Sequence, residues 1–405
     1  MYKTRREFMV ETSAAGIGAA AALALPAAAL GRTAAHGKPA KKRVLFLGGT
    51  GMLGPHVVRG LLDAGHEVTL FNRGNRPEMF PGIEQILGNR IVTVEPGLAP
   101  LRAEIKAGRR WDVIIDTASV HTWVENTAAL LKDAAERYVF VSSMSVYADN
   151  SVKGIDETGA LATMPDEVAE EITTPRYNMA YFGAVKARCE SAAKRHFGDK
   201  ALALRPSLLV GPRDFSHRFT YWPVRVRRGG EVLAPGSPEQ RVQFVDVRDL
   251  AKFMVKLVGE KHTGVFNVSG PVGPERTMGS TLEACKLVTA SDARFTWIDE
   301  SWLIENGVGP WMQMPLWVPS QGATAGFHYR EFERAIEAGL VTRPLEQTIG
   351  DTLEWFDGEY LPGFKRAMAE RGEGDVTFEF GAGRPGILAT DETRLLRAWR
   401  ESEEG

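Results

Sequence analysis

The fold is decided by Arg43-Val44-Leu45-Phe46-Leu47-Gly48-Gly49-Thr50-Gly51-Met52-Leu53-Gly54, where an apolar run meets a glycine-rich turn. A helical pattern over residues 56–64 follows, and the next apolar run begins at residue 68. This order of strand, turn, helix and strand is typical of a dinucleotide-binding βαβ unit, with the pyrophosphate at the helix N-terminus. The glycines permit a tight turn and a close backbone approach to the pyrophosphate. We therefore predict cofactor contacts from Gly48, Thr50, Gly51, Met52, Leu53 and Gly54.

Short apolar runs alternate with helical patterns from residue 42 to about residue 258. Each run is flanked by turn residues, as expected of strands buried on both faces of a parallel sheet. The runs cover residues 44–47, 68–71, 113–115, 138–141 and 202–204. This alternation predicts an α/β fold, a doubly wound parallel sheet of the Rossmann type, with a smaller C-terminal lobe.

Composition divides the chain into four predicted segments. A signal and linker occupy residues 1–40, and the nucleotide-binding domain occupies residues 41–268. Residues 269–356 are predicted to form a smaller lobe that caps the substrate, because the periodicity weakens there and Pro and Trp become frequent. Residues 357–405 form a charged extension with a short helical pattern at 391–400.

The first forty residues are typical of an export signal. Lys3 and the pair Arg5-Arg6 precede an Ala-rich apolar stretch over residues 14–30. Paired arginines before a mildly apolar segment resemble the twin-arginine signal, which exports folded proteins. The stretch is interrupted by glycines and Pro26, which disfavours a stable membrane anchor. We predict that the chain is exported, to the periplasm or the exterior.

Charge and cysteine content exclude several classes of protein. The 49 Lys and Arg residues nearly balance the 51 Asp and Glu residues, so no basic excess favours nucleic acid as a partner. A small-molecule substrate is expected instead, and a homodimer is left open. Cys189 and Cys285 lack metal-ligand spacing, so we predict buried core thiols and no metal site.

Further motifs follow the glycine turn. They are Val141-Ser142-Ser143-Met144-Ser145-Val146-Tyr147, Leu204-Arg205-Pro206, Val210-Gly211-Pro212-Arg213 and Phe244-Val245-Asp246-Val247-Arg248-Asp249-Leu250. With the glycine turn, they make residues 42–268 resemble the extended short-chain dehydrogenase/reductases of the NAD-dependent epimerase/dehydratase group. The resemblance implies an oxidoreductase that acts on a hydroxyl or keto group of a carbohydrate-like molecule, and it implies Ser143 as a catalytic residue. Export predicts that the cofactor is retained, since no nicotinamide pool exists outside the cytoplasm.

The resemblance also implies a Tyr four residues before a Lys on one helix, and here the chain departs from the pattern. Phe182 stands four residues before Lys186, and phenylalanine has no proton to exchange. Tyr181 lies five residues before Lys186, so only a π-bulge would bring it to the lysine's face. His121, which follows the run at 113–115, is an alternative base because it can titrate near neutral pH. The predicted catalytic residues are therefore Ser143, Lys186, Tyr181 and His121.

The choice between NADP and NAD depends on the end of the second apolar run. The chain has Asn72-Arg73 where a carboxylate would hold the ribose 2′-hydroxyl. Arg73 favours the 2′-phosphate of NADP, whereas Asn72 is able to hydrogen-bond the unphosphorylated ribose of NAD. Further cofactor contacts are predicted from Asp116, Thr117, Ala118, Ser142, Lys186, Arg205 and Pro206.

Several alternatives remain open at this point. Arg213, Arg241 and the aromatic run at 219–222 would supply clamps and a stacking wall for an anionic or sugar-like substrate, or else pack beneath a loop. Arg73 favours a simple NADP-dependent reductase, and Phe182 favours a cofactor-retaining binding protein without turnover. RNA binding, known for some chloroplast relatives of this fold, is disfavoured by the neutral charge balance.

Overall fold

The computed structural model describes residues 40–374 and 376–404. The predicted export signal and its arginine pair therefore lie outside the described residues. The strands are β1 (Arg43–Leu47), β2 (Glu67–Asn72), β3 (Glu84–Leu87), β4 (Trp111–Asp116), β5 (Ala135–Val141), β6 (Ala201–Pro206), β7 (Leu208–Val210), β8 (Glu231–Pro235), β9 (Phe244–Asp246), β10 (Gly264–Val268) and β11 (Arg294–Ile298).

Helices alternate with the strands and continue beyond the last one. They are α1 (Gly54–Asp63), α2 (Ala99–Lys106), α3 (His121–Leu131), α4 (Asp166–Glu171), α5 (Phe182–Phe197), α6 (Tyr221–Arg227), α7 (Val247–Gly259), α8 (Met278–Thr289), α9 (Glu300–Glu305), α10 (Glu333–Glu337), α11 (Leu345–Trp355), α12 (Leu361–Glu370) and α13 (Ala389–Glu404). A π-helical turn at Phe356–Tyr360 joins α11 to α12.

The central sheet confirms the predicted fold class. It has seven strands in the order β10-β6-β5-β4-β1-β2-β3, and each neighbouring pair is parallel. The five predicted apolar runs lie within β1, β2, β4, β5 and β6. The strand order reverses between β1 and β4, which is the point where ligands bind in open sheets of this type.

Alternate residues of β1 show how the sheet is buried on both faces. Val44 and Phe46 belong to a core that includes residues of α1 and α7, whereas Leu45 and Leu47 belong to a core that includes α3 and α5. The period of two along a strand divides the side chains in this way. Helices on both faces thus fix the carboxyl ends of the strands along one edge.

A further hydrophobic core lies outside the two faces of the central sheet, and we call it the second core. It draws on separate parts of the chain. It includes Trp222 and Leu233 before residue 269, Trp317 within the predicted capping lobe, and Phe380 and Leu396 from the C-terminal extension. Two short parallel sheets contribute to this region, β8 with β11 and β7 with β9. The second core thus places the loops after β7 and around residue 311 opposite the carboxyl ends of the main strands.

The prediction about the cysteines is confirmed, whereas the apolar stretch over residues 14–30, for which a stable membrane anchor was disfavoured, lies outside the described residues. Cys189 and Cys285 are buried free thiols, as predicted. Across residues 40–374 and 376–404, no helix combines the length and apolar character needed to span a bilayer.

Candidate active site

The glycine turn is shaped as a dinucleotide-binding turn requires. Gly48 and Gly49 have φ angles of 116° and 89°, which L side chains rarely adopt. A Cβ at Gly54 would lie 2.2 Å from the carbonyl oxygen of Gly49, so the helix start packs directly on the turn. A Cβ at Gly51 would meet nothing within 4 Å. Packing within the fold therefore does not explain the glycine at position 51, whereas it does explain the glycine at position 54.

A cavity of roughly 490 Å³, the main cavity, opens between the strand ends and the second core. Its sheet-side wall includes Gly49, Gly51, Met52, Leu53, Gly54, Thr117, Ser142, Ser143, Phe182, Lys186 and Pro206. Its opposite wall includes Asn150, Arg213, Asp214, Phe215, Arg218, Gln243, Trp311, Phe327, His328 and Arg330. Part of the glycine turn and half of the predicted site residues thus meet in one space.

Ser143, Phe182 and Lys186 come together in the main cavity. The Ser143 hydroxyl donates to Ser145 Oγ and accepts from its backbone N–H, both at 3.1 Å. Lys186 Nζ donates to the carbonyl oxygens of Ala118 and Val141 at 2.8 and 2.7 Å, and one of its three N–H groups remains for a ligand. Burial lowers the pKa of Lys186.

Tyr181 and His121, the predicted alternative bases, are not among the residues that line the main cavity. Tyr181 ends a 3₁₀ turn before α5 begins at Phe182, and it packs against the core that contains α3 and α5. No π-bulge rotates it toward Lys186, because α5 is a regular α-helix. His121 is the first residue of α3, and burial lowers its pKa. The geometry therefore removes both from direct contact with a ligand in this cavity.

A second cavity of roughly 210 Å³ adjoins the main cavity at Thr117 and Ser119, which line both. Its other lining residues are Gly48, Thr50, Phe71, Asn72, Arg73, Asn75, Gly88, Asn89, Arg90, Ala118 and Trp123. It lies at the carboxyl ends of β1, β2 and β4, on the other side of the glycine turn. The predicted contacts Gly48, Thr50, Asn72, Arg73, Thr117 and Ala118 all belong to it.

Asp116 and Arg205, two predicted cofactor contacts, line neither cavity. Asp116 is fully buried, where it pairs with Arg90 and accepts a hydrogen bond from the Tyr138 hydroxyl at 2.5 Å. Arg205 donates to both carboxylate oxygens of Glu190, at 2.9 and 2.7 Å. Both side chains are committed to buried ion pairs, so the structure corrects the expectation that they face the cofactor.

Three arginines line the outer wall of the main cavity, and only Arg213 was foreseen. Arg330 is almost fully buried and donates to neutral acceptors only: the Asn150 amide oxygen and the backbone oxygens of residues 149 and 152. Arg218 donates to Ser216 Oγ at 3.2 Å, and its guanidinium lies over the Trp311 ring. Burial lowers the pKa of Arg213 and of Arg218. The main cavity is thus lined by three guanidinium groups that form no hydrogen bond or ion pair with a carboxylate of the described residues.

The other suggested substrate contacts have structural roles. Arg241 pairs with Glu275 at 2.7 Å and is not part of the main cavity wall. Phe219, Tyr221 and Trp222 are fully buried in the second core, so the alternative of packing beneath a loop is correct. Trp311 and Phe327, whose rings meet edge to face at 5.2 Å, supply the aromatic wall instead.

Two cavity-lining groups besides lysine can in principle exchange protons. Both nitrogens of His328 are engaged, Nδ1 with the Gln243 N–H and Nε2 with the Leu316 carbonyl, and burial lowers the pKa of His328 to about 4. Asp214 differs because only its Oδ1 is engaged, by Ser216. Asp214 Oδ2 is buried without a hydrogen-bond partner among the described residues, and burial raises the pKa of Asp214.

The family model for the NAD dependent epimerase/dehydratase family matches residues 44–269, from β1 to the end of β10. The chain belongs to this family. The resemblance seen in the glycine turn and strand motifs is thereby confirmed, and the family is one of NAD-dependent enzymes.

Curated proteins that are similar to this chain have varied names. The chain is 23% identical over 245 residues to the chloroplast stem-loop binding protein of 41 kDa b of Arabidopsis thaliana, covering 57% of this chain and 59% of that protein. It is 28% identical over 233 residues to a 2-alkyl-3-oxoalkanoate reductase of Stenotrophomonas maltophilia, covering 52% and 64%. The matches thus span less than two thirds of either relative.

Solved structures show the same fold. The Bordetella bronchiseptica enzyme WbmH in complex with NAD⁺ is 16% identical and superposes with a TM-score of 0.56 over 79% of this chain and 99% of that chain. This likeness establishes the fold of the family in the present chain.

A nicotinamide dinucleotide fits the two adjoining cavities. The space at Gly51 admits a close ligand, and Ser142 Oγ is a buried hydroxyl in the main cavity without a partner among the described residues. The backbone of the turn around Gly51 would hold the pyrophosphate, and Ser142 with the remaining Lys186 N–H would face the nicotinamide side.

Proposed function

We propose that the chain is an NAD(P)-dependent oxidoreductase of the epimerase/dehydratase type, acting on a hydroxyl or keto group of a carbohydrate-like molecule that carries an anionic group. The observation that carries the proposal is the continuity of the main cavity from Gly51 to Arg330. A dinucleotide held at the glycine turn and a substrate held near the arginines would therefore share one space.

The outer wall of the main cavity supports an anionic, partly apolar substrate. Arg218 and Arg330 are without ion-pair partners among the described residues, and a bound carboxylate or phosphate would supply the missing charge. Trp311 and Phe327 offer aromatic faces to the C–H groups of a sugar-like ring. Charge and shape thus favour an acidic or phosphorylated carbohydrate-like compound.

Asp214 is the group we assign to proton exchange, because Phe182 cannot serve. A bound nicotinamide dinucleotide supplies a site that accepts or returns hydride. In an oxidation of a substrate alcohol to a carbonyl compound, hydride would pass to the dinucleotide and the O–H proton would pass to the Asp214 carboxylate, whose buried Oδ2 would first have to turn toward the main cavity. The raised pKa of Asp214 suits a carboxyl that both accepts and returns a proton.

The experiment is a substrate screen that follows the absorbance of reduced nicotinamide. Uronic acids, sugar phosphates, nucleotide sugars and β-hydroxy acids are offered with NAD⁺ and with NADP⁺. We expect turnover with an anionic member, reduced roughly 10²–10⁴-fold by Asp214→Asn. The exposed Asp199→Asn, which lies outside both cavities, serves as the control. Turnover that is unchanged in Asp214→Asn would reject the assignment of Asp214.

Phe182 supports a second candidate function, a cofactor-retaining binding protein without turnover. Its lack of an exchangeable proton removes the base that the family pattern implies. Tight dinucleotide binding with no hydride transfer across the screen would favour this candidate over the oxidoreductase.

We also propose export of the folded, cofactor-loaded protein, supported by the Arg5-Arg6 pair before an apolar stretch. A redox-neutral cycle suits such a protein because it needs no external nicotinamide pool. Replacing Arg5 and Arg6 together by lysine keeps the charge, and we expect it to leave the protein folded in the cytoplasm. Export of this variant at the original level would refute the proposal.

A further inference from the structure

We propose that Gln243 is a positioning residue for substrate binding, which fixes the backbone of Arg330 and so keeps its guanidinium at the main cavity as an anion-binding group. The inference rests on the proposed function, because it presumes that the substrate carries an anionic group. Both residues line the main cavity, and both are at least nine-tenths buried. Gln243 immediately precedes β9, whereas Arg330 lies 87 residues later, in the segment before α10.

The carboxamide of Gln243 pairs with the backbone of Arg330 in both directions. The Arg330 N–H donates to Gln243 Oε1 at 2.9 Å, and Gln243 Nε2 donates to the Arg330 carbonyl oxygen at 2.9 Å. A carboxamide offers a donor and an acceptor as a peptide group does, so this side chain takes the place of a neighbouring strand. Within residues 40–374 and 376–404, the Arg330 backbone forms no other hydrogen bond. Loss of the carboxamide would therefore leave two buried backbone groups without partners and release the segment.

A further hydrogen bond fixes the same segment two residues earlier. The Gln243 N–H donates to His328 Nδ1 at 3.0 Å, so His328 carries its proton on Nε2, which donates to the Leu316 carbonyl oxygen at 2.8 Å. Residues 328 and 330 both line the main cavity. Gln243 thus holds this stretch of the cavity wall through its backbone as well as through its side chain.

The guanidinium of Arg330 is held by groups that do not neutralise it. It donates to the Asn150 amide oxygen at 2.5 Å and to the backbone oxygens of Asp149 and Val152 at 3.2 and 3.4 Å. The Asp149 carboxylate is instead engaged by the N–H and hydroxyl of Ser151. The three bonds of the guanidinium leave two of its five N–H groups for a ligand. A buried guanidinium without a bonded carboxylate favours an anion, and its backbone decides where that anion binds.

Binding of inorganic phosphate tests the inference without requiring turnover. The protein is first saturated with whichever of NAD⁺ and NADP⁺ binds more tightly, so that the pyrophosphate site is occupied. Phosphate is then titrated, and the line width of its ³¹P resonance measures binding. We expect Gln243→Met, which is similar in length but forms neither side-chain hydrogen bond, to weaken phosphate binding roughly 10-fold and to leave dinucleotide affinity unchanged.

Gln240→Met is the matched control for this substitution. Gln240 Nε2 also donates to a backbone carbonyl oxygen, that of Val318 at 2.6 Å, but Gln240 lines neither cavity. We expect Gln240→Met to keep the parent's phosphate affinity. Gln243→Asn replaces Gln243→Met if that variant does not fold, because its carboxamide is polar but one methylene too short to make both bonds. The same weakening is expected.

A double-variant cycle separates positioning from a general loss of structure. Arg330→Met alone should weaken phosphate binding at least as much as Gln243→Met does. If Gln243 acts through Arg330, the double variant Gln243→Met/Arg330→Met should bind phosphate no more weakly than Arg330→Met. A general loss of structure would instead weaken phosphate binding further in the double variant.

The outcomes separate the two levels of the proposal. If neither dinucleotide binds the parent, the proposed function fails, and the inference that rests on it fails too. If a dinucleotide binds but phosphate does not, or if Arg330→Met binds phosphate as the parent does, dinucleotide binding stands and the anion site at Arg330 is rejected. If Gln243→Met keeps the parent's phosphate affinity, or if the double variant binds more weakly than Arg330→Met, the positioning role of Gln243 is overturned.

Discussion

The Lys186 ammonium lies 2.8 Å from the carbonyl oxygen of Ala118, and this hydrogen bond ties α5 to the segment that follows β4. A second bond, to the Val141 carbonyl, ties the same lysine to the end of β5. Lys186 therefore keeps a fixed place in the main cavity although the tyrosine expected four residues earlier is Phe182.

Restoring a phenol at residue 182 tests the electrostatics of this arrangement. Phe182→Tyr should carry a phenol with a pKa below the ordinary value of about 10, because residues 182 and 186 share a helix face and the ammonium favours the phenolate. A difference ultraviolet titration against the parent protein measures it. Phe295→Tyr, in β11 and lining neither cavity, should show no such lowering. If the phenol introduced by Phe182→Tyr keeps an ordinary or raised pKa, Lys186 does not act on that position.

The pair of Arg205 and Glu190 carries stability rather than cofactor affinity. Both side chains are at least nine-tenths buried, so Arg205→Met leaves an unpaired carboxylate inside the protein. We expect a loss of about 3–5 kcal/mol in the free energy of unfolding, measured by denaturant titration. Adding Glu190→Leu should recover much of the loss. If Arg205→Met left the free energy of unfolding unchanged but lowered the affinity for the dinucleotide, Arg205 would be a cofactor contact, as the sequence predicted.

His217 makes the second core sensitive to acid. It is nearly fully buried among aromatic rings, both of its nitrogens lack partners within the described residues, and burial lowers its pKa to about 4. The unfolded chain binds this proton below about pH 6.5, so stability is lost as the pH falls from there toward 4. The expected loss from His217 alone is about 2 kcal/mol between pH 6.5 and pH 5.

Denaturant titrations at both pH values check the contribution of His217. His217→Asn suits the test because asparagine tolerates the observed φ of 56°. His217→Asn should reduce the loss of unfolding free energy between pH 6.5 and pH 5 by about 2 kcal/mol. His262→Asn, outside the second core, should leave that loss unchanged. Equal acid loss in the parent and His217→Asn would contradict the expectation.

The sheet and the glycine turn were predictable from sequence because their signals are local. Residues 44–47 alternate between two cores as a buried parallel strand must, and Gly48 and Gly54 have the geometry that their spacing implied. The short strand β3 escaped prediction because only one of its four residues, Ile86, is buried.

The outer wall of the main cavity was not predictable in the same way. Arg330 and Trp311 lie far along the chain from the strand motifs, and only the tertiary fold brings them to the cavity. The sequence also contained no signal that would reserve Asp116 and Arg205 for buried ion pairs, since both stand at strand ends where ligands commonly bind. The position of Tyr181 was also not predictable from sequence, because it depends on the residue at which α5 begins, and that residue is Phe182.

The most direct test of the central claim is dinucleotide binding by Gly51→Val. The valine side chain has room in the fold but occupies the space beside the glycine turn, where the pyrophosphate is expected. Gly350→Val, in α11, is the control because a Cβ there also meets nothing within 4 Å. We predict that both variants unfold at the denaturant midpoint of the cofactor-free parent and that Gly51→Val alone loses NAD⁺ and NADP⁺ binding in calorimetry. A folded Gly51→Val protein with the parent's dinucleotide affinity would contradict the claim that this turn binds the cofactor.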